Sequence, residues 1–365
     1  MAAMFGRQAM IGLDIGKSSI VGVQVAGRVP DALLKVVHDR PIPEGLVFEG
    51  EVLDPDGLAA ELKAFMRDAK MKGKLVNLGV GNQKVIVRNI EVPEMAEDEL
   101  RGAIEFQAQD YIPIAVDEVV LDFVVVNRYA DDDGVAKQQV LLVAAQKDMI
   151  QRYMDAARKA GLKVVGIDVA AFALIRSLTP RVSFVDQGAA DADLFAIVNI
   201  SSSVSTLVIA KSGVPKFTRI VSPAYDNFLR VLVDRQGISV ADADELATRV
   251  GLQGPEPADT DTYNAATVAE VQSLLGQVAD ELAVEIRRSI DYYQSQDYAA
   301  AINRVIVSGR GAQLKNLEPF LADTLGLLVE AGDPLAKVGG APNQDIAAMS
   351  PRLAVAVGLA LEEVE

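Results

Sequence analysis

The sequence contains no cysteine, no tryptophan and a single histidine, His38. Without thiols there is no disulfide frame, no thiolate metal site and no cysteine nucleophile, a composition that suits a reducing cytosol. One imidazole rules out a polyhistidine metal site and leaves a Ser-His-Asp triad almost no room. His38 itself reads as a surface residue at a strand end. No uninterrupted apolar run of about 18 residues occurs, so no membrane-spanning helix is expected. The first ten residues carry Arg7 and are soon followed by Asp14, so they lack the apolar core and cleavage site of a signal peptide. Positive charge is short as well: 35 Lys and Arg face 51 Asp and Glu, for a formal charge of -16. Such a surface repels phosphate backbones and anionic headgroups, so nucleic acid is not an expected partner. Membrane attachment is expected only through another protein.

What is present is apolar substance: 50% of the 365 residues are hydrophobic, enough for sizeable cores and more chain than one typical domain needs. Met10 to Val25 reads as strand, glycine turn and returning strand. Asp54 stands where an N-cap would start a helix over 57–71, with Leu58, Leu62, Phe65 and Met66 on one face. Strands over 76–81 and 84–92 and a helix over 97–109 complete what reads as one compact insertion, 41–114. Runs at 119–126 and 139–145 flank the acidic segment Asp131 to Gly134 as a long hairpin would; that segment lacks the further ligands of a calcium loop and reads as a solvated turn. A helix over 147–160 ends at Gly161, followed by a strand over 163–168 and a helix over 170–178. The polar stretch 183–193 is the candidate boundary. Beyond it, 194–200 and 204–210 repeat the strand-turn-strand pattern of the N-terminus, and that echo is the strongest structural clue. A loose loop at 254–261, a long helix over 267–295, a strand over 304–307 and a last helix over 351–361 are expected after it.

Chemistry gathers at the turns. In Asp14-Ile15-Gly16-Lys17-Ser18-Ser19 a carboxylate ends a buried strand and a glycine and hydroxyls follow. Such a turn aims backbone N–H groups at a phosphate while the carboxylate holds magnesium through water, which makes Asp14 the candidate metal residue. The second copy runs Asn199-Ile200-Ser201-Ser202-Ser203, and Ser308-Gly309-Arg310-Gly311-Ala312 sets glycines at a strand end where a flat ring can approach the backbone. Glu285 and Arg288 lie three residues apart on one face of the long helix. Together these loops resemble the phosphate-1, phosphate-2 and adenosine elements of the actin, DnaK-type chaperone and sugar-kinase superfamily, in which Asp14, Gly16, Lys17, Ser18, Ser19, Asn199, Ser202, Glu285, Arg288, Gly309 and Gly311 would face ATP or ADP with magnesium.

The segments Pro41-Ile42-Pro43-Glu44-Gly45, Glu105-Phe106-Gln107-Ala108-Gln109-Asp110-Tyr111-Ile112-Pro113 and Asp117-Glu118-Val119-Val120-Leu121-Asp122 narrow the likeness. The match continues through 161–173, 285–296, 308–314 and 354–361. In these the chain resembles the PilM family, the actin-like cytoplasmic component of type IV pilus assembly. The resemblance implies a two-lobed α/β actin-like (ribonuclease H-like) ATPase fold with an inserted small α+β subdomain. It implies a first actin-like part at 1–40 and 115–180, the insertion at 41–114, a second part at 181–238 and 301–365, and a small helical part at 239–300. It further implies a cytoplasmic scaffold, peripheral to the inner membrane, that binds the N-terminal tail of a PilN-like membrane protein near Phe106 and Tyr111 and couples it to pilus assembly ATPases. FtsA of cell division is similar in architecture, but such chains usually end in an amphipathic membrane-targeting helix, and this one stops at Glu362-Glu363-Val364-Glu365.

The second turn departs from the family pattern, with Asn199 and Ser201 where Asp and Gly are usual. Val21 stands where a Lys is common, and Ala224-Tyr225-Asp226 replaces Gly-Gly-Asp. Losing that carboxylate removes an organiser of magnesium and attacking water, so efficient hydrolysis is not expected, while Asp14, Gly16 and the Gly309/Gly311 turn are intact and leave the nucleotide cleft open between retained, weak and absent binding. An active ATPase and a self-associating filament former remain the alternative readings.

Overall fold

The computed structural model describes residues 10–27, 30–131, 133–179, 194–296, 301–340 and 342–362. The segments 1–9 and 180–193, which hold most of the charged N-terminal stretch and the candidate boundary, lie outside them. The chain opens with β1 (Met10–Ile15) and β2 (Ser19–Ala26), antiparallel arms that set Asp14 opposite Val21, and β3 (Leu33–Pro41) folds back on β2. His38 lies within β3, not at its end, and its ring centroid stands 5.1 Å from that of Phe65. A short hairpin, β4 (Val47–Phe48) and β5 (Glu51–Val52), leads into α1 (Pro55–Ala69). Asp54 starts this helix by accepting from the N–H groups of Asp56 and Gly57 at 3.0 Å, and Leu58, Leu62 and Phe65 form its buried face.

β6 (Leu75–Val80) then runs parallel beside β1. Here the structure departs from the single insertion expected over 41–114, because β6 belongs to the first sheet and α1 packs into that sheet's core. A separate three-stranded sheet holds β7 (Val85–Pro93), carries α2 (Glu97–Tyr111) on one face, and is completed by β8 (Val119–Ala130) and β9 (Ala136–Gln146) in the order β7-β9-β8. Leu100, Ile104 and Ala108 of α2 meet Ile86, Ile90, Val140 and Leu142 in a small core of their own. A local pattern cannot tell which sheet a strand joins, since a buried strand reads alike in either.

Next come α3 (Lys147–Lys159), β10 (Lys163–Val169) and α4 (Ala170–Leu178), and β10 completes the first sheet in the order β10-β6-β1-β2-β3. The second half repeats the plan. β11 (Leu194–Ile200), β12 (Ser205–Lys211) and β13 (Val214–Val221) form the antiparallel part of a second five-stranded sheet. α5 (Tyr225–Gln236), α6 (Val240–Val250) and the 30-residue α7 (Ala265–Gln294) pack on it. β14 (Arg304–Ser308), α8 (Leu317–Leu325) and β15 (Leu328–Ala331) finish the sheet as β13-β12-β11-β14-β15. The loop expected to be loose at 254–261 is pinned: Asn316 donates to Leu252 O and Glu256 O and accepts from Glu256 N.

The chain ends in α9 (Gln344–Ala348) and α10 (Ala354–Ala360), every residue of which is buried between α4 and β1. Past α10, Glu362 tucks its carboxyl inward, where Oε2 has no partner among the described residues and burial pushes the pKa from 4.5 to about 7. An acid whose folded pKa is raised costs stability as pH climbs from its unfolded value through the folded one. Glu362→Gln is therefore expected to stabilise the protein by about 1 kcal/mol at pH 8, discounted for partial exposure, and not at pH 4. Urea titration at both pH values checks this; an equal effect at both would refute it.

Candidate functional site

A cavity of about 680 Å³ lies between the two sheets' turns. Its first wall is the β1–β2 turn and the end of β3, through Lys17, Ser18, Ser19, Asp39 and Ile42. Its second wall comes from the β11–β12 turn and from α5 and α6, through Ser202, Tyr225, Asp226, Leu229, Val240 and Asp244. Arg310 and Arg352 close the floor. Each of the two turns joins neighbouring strands in the interior of its own sheet, and the turns, far apart in sequence, meet here.

Of the residues singled out by sequence, Lys17, Ser18, Ser19 and Ser202 line the cavity. Asp14 is the last residue but one of β1 and is not itself among the lining residues, and Gly16 tightens the turn through its N–H to Ser19 O at 2.9 Å. Burial pushes the pKa of Asp14 from 3.8 to about 6, the positive charge of Arg352 opposing and the negative charge of Asp39 reinforcing that rise. Asn199 turns elsewhere: it is buried and its Oδ1 accepts from Ser308 Oγ at 3.0 Å, joining β11 to β14. Gly309 (φ +83°) and Gly311 serve that same junction, since a Cβ on either would lie 2.5 Å from Ile200 O or 2.4 Å from Ile200 Cγ2. Close packing on β11 is what these glycines permit, and the side chain of Arg310 between them is what reaches the cavity.

Glu285 and Arg288 are not brought to this cavity. They pair with each other at 2.5 Å on α7, and Glu285 lines a second cavity of about 410 Å³ with Arg219, Lys84 and Glu51. Phe106 and Tyr111 sit on α2, 86% and 36% exposed. They are surface groups in place of the packing residues that an apolar helix face would have made them.

The residues that sequence reasoning missed are the charged ones. Arg310 donates twice to Asp244, at 2.9 and 2.7 Å, and lies 5.4 Å from the centroid of Tyr225, whose hydroxyl also donates to Asp244 at 2.7 Å. Arg352 reaches back from the segment before α10 to Asp39 at 2.7 Å and to Ser19 Oγ at 2.9 Å. Ser239, which caps α6, was a visible signal for a helix presenting Asp244; nothing in the sequence marked Arg352 or Asp39. Asp39 Oδ1 is buried without a partner among the described residues, so the donor set has an oxygen to spare for a hydrated cation beside Asp14. The apolar half, Ile42, Leu229, Val233 and Val240, suits a flat ring. Among the described residues no group of three or more acidic or imidazole side chains gathers to hold a bare metal ion, and the lining offers polar turns for phosphates and an apolar face for a ring. Among the described residues no helix is long and apolar enough to cross a membrane.

Comparison with known proteins extends this geometry. A chain of a PilM-PilN type IV pilus biogenesis complex superposes with a TM-score of 0.82 at 28% identity, covering 98% of this chain and 99% of that one. MreB5 of Spiroplasma citri bound to ADP matches at TM-score 0.56 and 11% identity over 97% and 95% of the two chains. The ethanolamine utilization protein EutJ from Carboxydothermus hydrogenoformans matches at 0.53 and 14% over 99% and 92%. At such identities the last two speak for the fold alone, which is the actin-like α/β fold expected. The family model described as type IV pilus assembly protein PilM matches residues 12–364, so the sheets, the turns and the inserted α2–β9 unit together belong to one lineage, and the chain is a member of the PilM family of type IV pilus assembly proteins.

Proposed function

We propose that this protein is a cytoplasmic adaptor of type IV pilus assembly, or of a related secretion or competence system, that holds the N-terminal tail of a PilN-like inner-membrane protein and passes the state of its nucleotide cleft to pilus assembly ATPases. The observation that carries the reading is the full-length likeness to a chain solved in a PilM-PilN complex. Its own surface supports it. β8 is an edge strand of 12 residues paired on one side only, with β9, so its outer edge offers backbone groups to an extended peptide, apart from the Phe123 N–H, which donates to Asp122 Oδ1 at 2.9 Å. Leu121, Phe123 and Val125 turn toward α2, while Val120 and Val124, 47% and 54% exposed, show the other face to solvent. Val120 and Val124 flank the exposed Asp122 on that face, a pattern that a peptide strand with apolar residues on either side of a cation would cover. The formal charge of -16 favours a basic tail.

The cleft takes ATP or ADP with magnesium, Asp14 holding the ion through water and Ser18 and Ser202 facing phosphate. Its hydrolysis is slow, because the second turn presents Asn199, whose side chain is engaged with Ser308. Anchoring at the membrane runs through the partner. The test is fluorescence anisotropy with a labelled PilN-like tail peptide. Val124→Lys is expected to weaken binding at least roughly tenfold by breaking the apolar contact, with melting temperature unchanged because the side chain is exposed. Equal affinity for native and variant protein would remove the edge from the interface, and no binding by either would remove the adaptor reading.

A further inference from the structure

The two phosphate-type turns touch each other directly. Ser18 Oγ and Ser202 Oγ lie 2.8 Å apart, and Lys17 Nζ donates to Asp226 Oδ2 at 2.5 Å. Asp226 stands in the first turn of α5, where the N–H groups of Tyr225 and Asp226 donate to Ser201 O and Ser202 O, both at 2.9 Å. The second turn and the start of α5 are thus one unit, and the first turn is fastened to it by an ion pair and a hydroxyl pair. Residues 184 and 209 positions apart in sequence are joined in this way.

We propose that this contact is a latch that keeps the lobes closed without nucleotide, and that an incoming phosphate opens it by taking Lys17 from Asp226. The inference rests on reading the cavity as a nucleotide site. Three cations of the cavity are already matched to an acid: Lys17 to Asp226, Arg310 to Asp244 and Arg352 to Asp39. Arg230, the fourth cation lining the cavity, is exposed on α5 and belongs to neither turn, so a phosphate seated at the turns themselves meets only matched cations and has to draw one from its carboxylate. Lys17 is the one released most easily. Arg310 is gripped by both oxygens of Asp244 and lies over Tyr225, and Arg352 holds a second bond to Ser19. Lys17 makes a single bond between side chains that are 25% and 22% exposed, where water screens the attraction. The carboxylate it leaves is not stranded, because Asp226 sits at the positive end of α5. Lys17 and Asp226 are thereby each satisfied in the closed and in the opened state, as an exchangeable contact requires.

The chain has no cysteine, so paired labels can be placed cleanly. Glu44 and Arg230 line the cavity from opposite lobes and are exposed, and Glu44→Cys with Arg230→Cys gives two spin-label positions across it. Without nucleotide, Asp226→Asn and Lys17→Met are each expected to lengthen and broaden the measured distance. In calorimetric titration, Asp226→Asn is expected to bind ADP and ATP roughly threefold to tenfold more tightly, the gain from removing an exposed ion-pair competitor, with adenosine affinity unchanged. In a Lys17→Met background the same change is expected to do nothing. A distance distribution identical to that of the doubly labelled parent in both variants overturns the latch. So does Asp226→Asn binding no more tightly than a parent that binds. Lengthened distances with no nucleotide bound by any variant would uphold the latch and overturn the nucleotide reading instead.

Discussion

Replacing Asp14 with Asn is expected to make the protein more stable at pH 8 while removing its magnesium-dependent nucleotide binding. Burial lifts the carboxyl pKa from 3.8 to about 6 against the pull of Arg352. A raised acid pKa means that the folded state holds its proton more tightly than the unfolded one, so stability is lost as pH rises from about 4 through 6. At 1.36 kcal/mol per pKa unit the cost at pH 8 approaches ~3 kcal/mol, and Asn, which carries no charge to desolvate, should recover about 1–3 kcal/mol of it. At pH 4 the two proteins should melt together. The same charge is what a hydrated magnesium would use, so the variant should bind magnesium-ATP at least roughly a hundredfold more weakly, as loss of a charged ligand commonly costs. Denaturation at both pH values and calorimetry at pH 8 read the two effects separately. A variant less stable than the parent at pH 8 would show that Arg352 and not burial governs Asp14.

The same residue shows what sequence can disclose. Asp14 and Gly16 were legible because a strand, a tight turn and a return strand are local, with a period of two that survives without knowledge of the rest. The echo at Leu194–Lys211 was legible for the same reason. Arg352 and Asp39 were not, since their pairing joins a 3₁₀ turn before the last helix to the third strand, and no periodicity links them. Glu285 and Arg288 show the opposite limit. Their spacing announces correctly that they meet on α7, but not which cavity the helix faces. Sheet membership failed likewise at β6, whose apolar run fits a neighbour in either sheet until β1 claims it.

The largest effect on stability is expected at Gly358, where a methyl group has no place to go. In α10 the helix axis lies so close to α4 that a Cβ on Gly358 would stand 1.9 Å from Ala173 O. On the helix's other side Gly12 of β1 would put a Cβ 2.1 Å from Ala356 O. The helix is therefore seated backbone to backbone against both neighbours, and Arg176 fastens it further by donating to Gly358 O at 2.7 Å. A side-chain clash can be relieved by a rotamer change, but a clash with a main-chain carbonyl requires α10 and α4 to part, which opens the buried cluster of Leu174, Val355 and Leu359 between them. Gly358→Ala should cost about 3 kcal/mol or more, the upper end of overpacking, although Ala is the better helix former. Gly102 on α2 supplies the control, with open space around its missing Cβ, and there the identical substitution should stabilise by ~0.5–1 kcal/mol. Opposite signs in urea titration would locate the difference in the α10–α4 contact. Because α10 also rests on β1, which carries Asp14, and follows the turn that carries Arg352, a folded Gly358→Ala protein should lose nucleotide affinity too, without any change in the cavity's own residues.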